Sequence, residues 1–309
     1  MHRIQYVMDQ KPFSSFSEAS RYTLKYLRKK YGYGAWLMTR KNEDEWVILQ
    51  VEGDGYQIDE LSVINWNDSM CSRMVKQEGP RWAPNVDEIS SYVEAPIYQA
   101  HSIKSYVGVP VCYANGEVFG TLCAIDTEPT GRQPADGIET VELMSKLLAS
   151  LLQLELDNLS IARKQMNFLP EQLKDKCTGF LNRMGWSICL EKESQKVREL
   201  GTPLYVVALD IKLLNLDEDN EAVSRQLSLT TSILSLEADE HHFVARLNEN
   251  IFTILCTTIM SKQVEQLVSN LQMHFRAVDI DVAIGVEKHN YRDNIETTVM
   301  SAIKSTKSS

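Results

Sequence analysis

The stretch FVARLNENIFTILC, residues 243–256, predicts a β-hairpin in the C-terminal half of the 309-residue chain. Residues 243–245 and 251–255 favour strands, and the polar run Asn248-Glu249-Asn250 between them is typical of a turn. A hairpin that handles nucleotide phosphates needs small residues at its tip and acidic residues directly after it. This turn has Asn, Glu and Asn, followed by Ile251, so the stretch predicts the hairpin without that chemistry.

The segments around the hairpin predict a sheet domain covered by helices. The run LYVVALDI, residues 204–211, predicts a buried strand with Asp210 near its end. Apolar periodicity predicts a helix that ends near residue 199, helices over residues 221–236, 261–275 and 293–307, and a strand over residues 280–286. The order helix, strand, helix, hairpin, helix, strand, helix suits an α/β sheet domain.

The N-terminal half predicts a second sheet. Helices are predicted over residues 14–30 and 66–76, and two strands over residues 35–39 and 45–52.

The segment that follows predicts a lid and a second hairpin. Residues 79–93 contain Pro80 and Pro84 and predict a loop or lid without regular structure. Residues 103–112 and 118–125 predict two strands, and Asn115-Gly116 between them predicts a tight turn because Asn-Gly tolerates positive φ.

One long helix is predicted over residues 138–168 because apolar residues recur there at spacings of three and four: Val141, Met144, Leu148, Leu152, Leu156 and Leu159. A second apolar stripe consists of Leu147, Leu151 and Leu154. The pattern suits a parallel dimer helix that passes a signal between two domains, and it equally suits a helix packed back on the first sheet. The sequence leaves both open.

Composition and charge limit the function classes. With 43% hydrophobic and 24% charged residues, the chain suits two globular domains. Its net charge of -10 argues against a nucleic-acid or anionic-membrane partner. No signal peptide or membrane-spanning run is recognised, so a cytoplasmic protein is expected. The six cysteines form no CxxC pair and are interpreted as small buried residues.

The first half resembles the GAF domain, a small-molecule sensor module, through SYVGVPV at residues 105–111 followed by GEVFGTLCAID at residues 116–126. The resemblance implies a central antiparallel sheet with helices on one face and a ligand pocket on the other. The candidate pocket residues are Trp66, Trp82, Tyr98, His101 and Tyr106. Because the bilin-type Cys-His pair of some family members is missing, Cys112 and Cys123 are interpreted as core residues.

The second half resembles the GGDEF domain, the diguanylate cyclase fold. The resemblance rests on DKCTGFLNR at residues 175–183, on the strand that ends at Asp210, and on ARL at residues 245–247 directly before the hairpin. It implies that Asp210 stands where the family places a metal ligand. The family's signature pentapeptide aligns with Asn248, Glu249, Asn250, Ile251 and Phe252.

The aligned hairpin departs from that signature at the positions that carry the chemistry. Asn248 and Glu249 replace two glycines that let backbone approach phosphate, and Asn250 and Ile251 replace two acids. Ile251 neither coordinates a metal nor assists deprotonation of a hydroxyl. With Asp210 as the one remaining acid, the resemblance implies a degenerate, inactive GGDEF domain.

Other family positions point the same way. Residues 215–224, where the family contacts guanine, are shortened, and the Arg-x-x-Asp product-inhibition motif falls on Asp239 and His242. Lys304 either keeps the place of a phosphate-contacting lysine or is a solvated helix residue. His241-His242 has no third ligand at metal-binding spacing, so no metal site is expected.

Together the two resemblances imply a bacterial signalling protein. A sensor domain is predicted at residues 1–155, a connecting helix over residues 138–169 that overlaps it, and a degenerate GGDEF-like domain at residues 170–309. We expect no enzyme activity and no cofactor, an unknown small molecule or protein at the sensor domain, and a homodimer through the connecting helix, with a protein partner plausible. The alternative is a receptor for GTP or cyclic di-GMP, or a weak residual diguanylate cyclase.

Overall fold

The chain divides into two compact units, and the boundary in this computed structural model lies between Ser160 and Ile161. The residues that the structure describes are 11–54, 56–130, 136–165, 170–212, 220–239, 241–257 and 260–308. The helix predicted over residues 138–169 is present over Gly137–Gln165, and residues 166–169 lie outside the described residues.

The first unit is built on one antiparallel sheet. Its strands are β1 (Ala35–Asn42), β2 (Glu45–Gly53), β3 (Val63–Asn65), β4 (Trp82–Ala83), β5 (Ser105–Cys112) and β6 (Val118–Asp126). They lie in the order β3-β2-β1-β6-β5-β4. Gly116, in the turn between β5 and β6, has a φ of +86°, as the Asn-Gly prediction requires. The antiparallel sheet expected for the first unit is confirmed.

Helices precede, interrupt and follow these strands. They are α1 (Phe16–Tyr31), α2 (Met70–Val75), α3 (Ser90–Val93), α4 (Pro96–His101) and α5 (Gly137–Gln165). α1 begins where the Ser15 hydroxyl accepts a hydrogen bond from the Glu18 amide at 3.1 Å, and it ends at Gly32, whose φ is +74°. A capping serine and a terminal glycine are common helix boundary signals.

The prediction that residues 79–93 lack regular structure is wrong. The segment contains β4, a 3-10 turn over Val86–Glu88 and α3. Pro80 and Pro84 flank β4 and lie outside it, so neither removes an amide from its pairing with β5. The Asn85 side chain accepts a hydrogen bond from the Asp87 amide at 3.2 Å and starts the 3-10 turn.

The two faces of the first sheet are covered by different helices. Cys123 and Ile125 of β6 belong to an apolar core that also includes Met70 of α2 and Ile97 of α4. α1 and α5 lie beside each other outside that core. The Phe16 amide of α1 donates a hydrogen bond to the Glu155 carboxylate of α5 at 2.7 Å. The sheet is therefore enclosed on both sides.

α5 carries one buried and one exposed apolar stripe. Val141, Leu148 and Leu152 are buried, and the Ser145 hydroxyl donates a hydrogen bond to the Pro110 carbonyl of β5 at 2.6 Å. This part of α5 packs back on the first unit. The large apolar residues on its other side remain more than half exposed: Leu143, Leu147, Leu154 and Ile161.

The second unit contains a four-stranded antiparallel sheet. Its elements are α6 (Arg183–Leu200), β7 (Leu204–Ile211), α7 (Asn220–Glu237), β8 (His242–Arg246), β9 (Ile251–Thr257), α8 (Ser261–Ala277), β10 (Val282–Lys288) and α9 (Ile295–Ser305). The strand order is β10-β7-β9-β8. From β7 onward this is the βαββαβ arrangement of ferredoxin-like sheets. The predicted hairpin is present as β8 and β9.

Helices cover both faces of this sheet, which explains why β7 is apolar along most of its length. One core joins Val207 and Leu209 of β7 to Leu271 and Phe275 of α8. On the other side α9 contacts β7 and β10. Gly285 of β10 lies so close to α9 that an added Cβ would stand 2.1 Å from the Ala302 carbonyl oxygen. Within the described part of the chain, no helix combines the length and the apolar character that a membrane span needs.

Candidate functional site

The first unit encloses a small apolar cavity in the core beneath α2 and α4. Its volume is about 20 Å³, enough for a single water-sized molecule. The walls include Trp46, Ile48, Cys71, Ile97, Tyr106 and Cys123. A larger ligand would therefore require movement of these walls.

The structure distributes the five predicted pocket residues unevenly. Tyr106 lines the cavity, and Trp66 and Tyr98 belong to or pack against the surrounding core. Trp82 packs against Tyr33 with ring centroids 6.0 Å apart, because its neighbour Ala83 takes the core-facing position on β4. His101 is half-buried at the end of α4.

A line of polar side chains crosses this apolar core and ends at a cysteine. The Trp46 indole N–H donates to Thr39 Oγ1 at 2.8 Å, and Thr39 Oγ1 lies 2.7 Å from Thr121 Oγ1. The Thr121 hydroxyl donates to Cys71 Sγ at 3.2 Å, and the Tyr106 hydroxyl donates to the same sulfur at 3.3 Å. Two hydroxyl groups therefore converge on Cys71.

The environment shifts the pKa values of the Cys71 and Cys123 thiols in opposite directions. Burial raises the pKa of Cys71, but hydrogen bonds from Cys123, Thr121 and Tyr106 outweigh it, so the pKa is lowered overall. The hydrogen bond to Cys71, together with burial, raises the pKa of Cys123 well above its ordinary value. Cys123 is buried, as the sequence predicted, whereas Cys112 is only partly buried and Cys177 is exposed, so the prediction of buried cysteines is wrong for these two. Sequence reasoning did not single out Cys71, because its partners lie on distant strands.

The tip of the β8–β9 hairpin is closed by its own side chains. Asn248 Oδ1 accepts hydrogen bonds from the amides of Asn250 at 2.9 Å and Ile251 at 2.7 Å. Arg246 Nη2 donates to the Glu249 carbonyl at 3.1 Å. The amide of Leu247 donates to the Ile251 carbonyl at 2.8 Å. These bonds occupy backbone groups that an open turn would offer to a ligand.

Asp210 and Ile251 are direct neighbours in the sheet. Asp210 of β7 pairs with Ile251 of β9, and Phe252 is fully buried. Lys212 forms an ion pair with Asp281 at 2.6 Å. In the described part of the chain, no group of three or more His, Cys, Asp or Glu side chains is placed to hold a metal ion. Of the shortened segment, residues 215–219 lie outside the described residues.

The motif at residues 175–183 contacts the β8–β9 hairpin and stabilises it. Asp175 Oδ1 accepts hydrogen bonds from the Thr178 hydroxyl at 2.8 Å and lies 3.5 Å from Arg246 Nη1. Arg183 Nε donates to the Leu247 carbonyl at 2.6 Å. These residues border an open cleft of about 480 Å³ next to the turn. The motif thus has a structural role that needs no substrate.

The remaining predicted positions lie apart from this cleft. Asp239 Oδ1 lies 2.7 Å from His242 Nδ1, and burial lowers the pKa of His242. The His241 amide donates to Asp239 at 2.7 Å, as expected for a turn. Lys304 is exposed on α9.

Comparison with known proteins places the first unit in a family. The family model of the GAF domain matches residues 15–155, so the first unit contains a GAF domain and that prediction is confirmed. A search of curated proteins found no match.

Solved structures similar to the C-terminal part are GGDEF domains. The diguanylate cyclase SiaD of Pseudomonas aeruginosa, in complex with its activator SiaC, is 16% identical, with 55% of this chain and 68% of that chain covered and a TM-score of 0.42. The GGDEF domain of DgcB from Caulobacter crescentus, in complex with c-di-GMP, is 15% identical, with 45% and 91% covered and a TM-score of 0.42. The FimX GGDEF domain of Pseudomonas aeruginosa is 15% identical, with 44% and 95% covered and a TM-score of 0.38.

Proposed function

We propose that this is a regulatory signalling protein in which the GAF domain senses a small molecule or a protein partner. The second unit is a GGDEF-like domain that makes no cyclic di-GMP and serves as a dimerisation or protein-interaction module. The observation that carries this proposal is the hairpin tip, where Asn248 occupies backbone amides and Ile251 stands beside Asp210.

Phosphate binding by a turn depends on free backbone N–H groups. At this tip the amides of Asn250 and Ile251 already donate to Asn248 Oδ1. A phosphate oxygen would have to displace the Asn248 side chain and would then meet the carboxylate of Glu249, which is exposed in the same turn. The tip therefore disfavours a nucleotide by occupancy and by charge.

Metal-assisted phosphoryl transfer needs several oxygen ligands around Mg²⁺. Asp210 is half-buried, and its neighbour across the strand pair is the aliphatic Ile251. The nearby Asp281 is engaged with Lys212. Among the described residues, Asp210 and the ion-paired Asp281 are too few ligands for two-metal chemistry.

The connecting helix is anchored in the second unit by buried charge. Arg163 near the end of α5 lies 3.1 Å from Glu193 of α6, and Lys196 lies 2.5 Å from the same carboxylate. The Glu193 side chain is 3% exposed. Breaking a buried ion pair by removing one partner costs about 3–5 kcal/mol, so the end of α5 is held firmly on α6. The end of α5 is therefore an ordered part of the second unit.

The exposed stripe of α5 supports a dimer. Leu147, Leu154 and Ile161 are spaced by seven residues and are each more than half exposed. A seven-residue repeat of apolar side chains is the pattern of a two-stranded coiled coil. A second copy of α5 would cover this stripe.

Native mass spectrometry of the purified full chain tests the proposed role. We expect the mass of a homodimer, together with any small molecule retained by the GAF domain. The spectra are recorded over a series of protein concentrations. A monomer mass without a bound molecule at every concentration would contradict the proposed dimerisation.

A nucleotide receptor is the second candidate, favoured by the open cleft that Arg183 and Arg246 border. Both arginines already donate to carbonyl groups of the hairpin, so we rank this function second. Calorimetry with GTP and with cyclic di-GMP at micromolar concentrations is expected to show no binding. A clear isotherm that disappears in Arg183→Ala would establish the receptor instead.

A further inference from the structure

Two cysteines from distant parts of the first unit meet in its core. Cys71 lies on α2 and Cys123 on β6, and each is 1% exposed. The Thr121 hydroxyl oxygen lies 3.2 Å from Cys71 Sγ and 3.9 Å from Cys123 Sγ, and both cysteines line the cavity of about 20 Å³. Hydrogen peroxide is larger than water, so it would reach the two thiols only when the walls of this cavity move.

The direction of the hydrogen bonds around Cys71 follows from counting the donor protons and acceptor lone pairs of the side chains that lead to it. An indole N–H only donates, so Trp46 donates to Thr39 Oγ1 at 2.8 Å, and the Thr121 amide donates to the same oxygen at 3.1 Å. With both lone pairs occupied, Thr39 can only donate, and its hydroxyl oxygen lies 2.7 Å from Thr121 Oγ1 and 3.2 Å from the Thr121 carbonyl oxygen. The Thr121 proton is then directed at Cys71 Sγ, 3.2 Å away. Cys71 is thus the final acceptor of this chain of donors.

The other buried cysteines show what an ordinary core thiol looks like in this protein. Cys189 and Cys256 are 2% and 0% exposed, and neither sulfur takes a side-chain hydrogen bond from the described residues. Burial raises the pKa of Cys189 to about 12 and that of Cys256 further. Cys71 has the same burial but receives hydroxyl donors, which stabilise a thiolate.

We propose that Cys71 and Cys123 are a redox-active dithiol that reacts with a small hydroperoxide such as hydrogen peroxide. The Cys71 thiolate attacks one peroxide oxygen, the O–O bond breaks, and the departing hydroxide takes a proton to become water. Cys123 sulfur then attacks the Cys71 sulfenic acid, the S–O bond breaks, and the hydroxide leaves with the Cys123 proton as a second water. The thiols lose two electrons and two protons, and the peroxide gains them.

The disulfide would change the wall of the cavity. A sulfur–sulfur bond of about 2.05 Å draws the two side chains together and ties α2 to β6. It also withdraws Cys71 from the hydroxyls of Thr121 and Tyr106. The consequence is a covalent state of the GAF domain, whether or not the second unit has any activity.

α4 contributes Ile97 to the wall of the cavity. An exposed cluster holds this segment in place: Asp87 accepts hydrogen bonds from the Tyr98 hydroxyl at 2.6 Å and from Lys104 at 3.0 Å. Opening of this segment would admit the peroxide.

Peptide mapping of the full chain tests the proposal. The reduced protein is treated with hydrogen peroxide, its remaining thiols are alkylated after denaturation, and the digest is analysed by mass spectrometry. We expect a cross-linked peptide pair joining Cys71 to Cys123 that dithiothreitol releases, while Cys189 and Cys256 stay alkylated. Recovery of Cys71 and Cys123 as alkylated thiols from excess peroxide would overturn the proposal.

Two variants distinguish effects on the reactivity of Cys71 from effects on the packing of the core. In Cys123→Ser the sulfenic acid of Cys71 persists and is trapped by dimedone, and absence of the adduct would exclude Cys71 as the attacking thiol. Thr121→Val keeps the side-chain shape but removes the donor, and we expect disulfide formation to slow about tenfold. The matched control is Thr230→Val, whose buried hydroxyl has no hydrogen-bond partner among the described residues. Equal rates in Thr121→Val and Thr230→Val would contradict the assigned role of the hydroxyl donors.

Discussion

At the scale of single residues, the Asn248 side chain organises the turn between β8 and β9. Its oxygen receives two backbone amides within 2.9 Å, in the manner of an Asx turn. A glycine at this position would leave those amides without a partner from the turn. The residue that closes the turn therefore occupies the two amides that a phosphate would need, as the proposed function requires.

Replacing Asn248 with Ala should lower the free energy of unfolding by about 1 kcal/mol, because two exposed amides exchange a protein partner for water. Asn248→Asp keeps the acceptor oxygen and is the matched control, with a smaller loss expected. Urea denaturation followed by circular dichroism measures the difference. Equal stability of Asn248→Ala and the wild type would show that the side chain does not hold the turn.

A buried histidine makes the stability of the second unit depend on pH. His289 is 3% exposed and lies 2.8 Å from the Thr298 hydroxyl. Burial lowers its pKa from the ordinary value of 6.5. The unfolded chain therefore binds the proton more readily than the folded chain. This contribution to stability is complete above pH 6.5 and is lost as the pH falls below it.

His289→Gln should flatten the pH dependence of unfolding between neutral and mildly acidic solution. Glutamine retains a polar group for Thr298 but takes up no proton. Urea titrations of the variant and the wild type over this range provide the test. Parallel stability profiles for the two proteins would contradict the assignment of His289.

At the scale of elements, α5 has two faces with different environments. Val141, Leu148 and Leu152 are buried, whereas Leu147 and Leu154 are 53% and 59% exposed. The buried face stabilises the GAF domain. The exposed face is the surface that the proposed dimer would bury.

The double substitution Leu147→Asp with Leu154→Asp should convert the dimer into a monomer. The fold should persist, because both side chains are more than half exposed and two carboxylates facing two others repel in a coiled coil. Lys146→Glu is the matched control, exposed on α5 but about 100° around the helix from Leu147. Sedimentation equilibrium reports the mass, and a double variant that stays dimeric would place the dimer contact elsewhere.

At the scale of the whole molecule, local sequence patterns predicted most helices and strands. They did not predict which residues from distant parts of the chain contact each other. The hairpin was predictable because two apolar runs flank a polar turn, and Gly116 because Asn-Gly favours its conformation. That Tyr106 lines the cavity and Trp82 does not was unpredictable from the sequence. It depends on which residue of the two-residue strand β4 faces the core. The meeting of Cys71 with Cys123 depends on how α2 packs on β6, for which neither stretch carries a local signal.

We propose that the second unit keeps the sheet and helices around its hairpin without the cyclase reaction. The most direct measurement is incubation of the purified full chain with GTP and Mg²⁺, with cyclic di-GMP quantified by liquid chromatography and mass spectrometry. Asp210→Ala, which removes the remaining acid, serves as the background. We predict no cyclic di-GMP above that background. Steady production of cyclic di-GMP that disappears in Asp210→Ala would contradict the account.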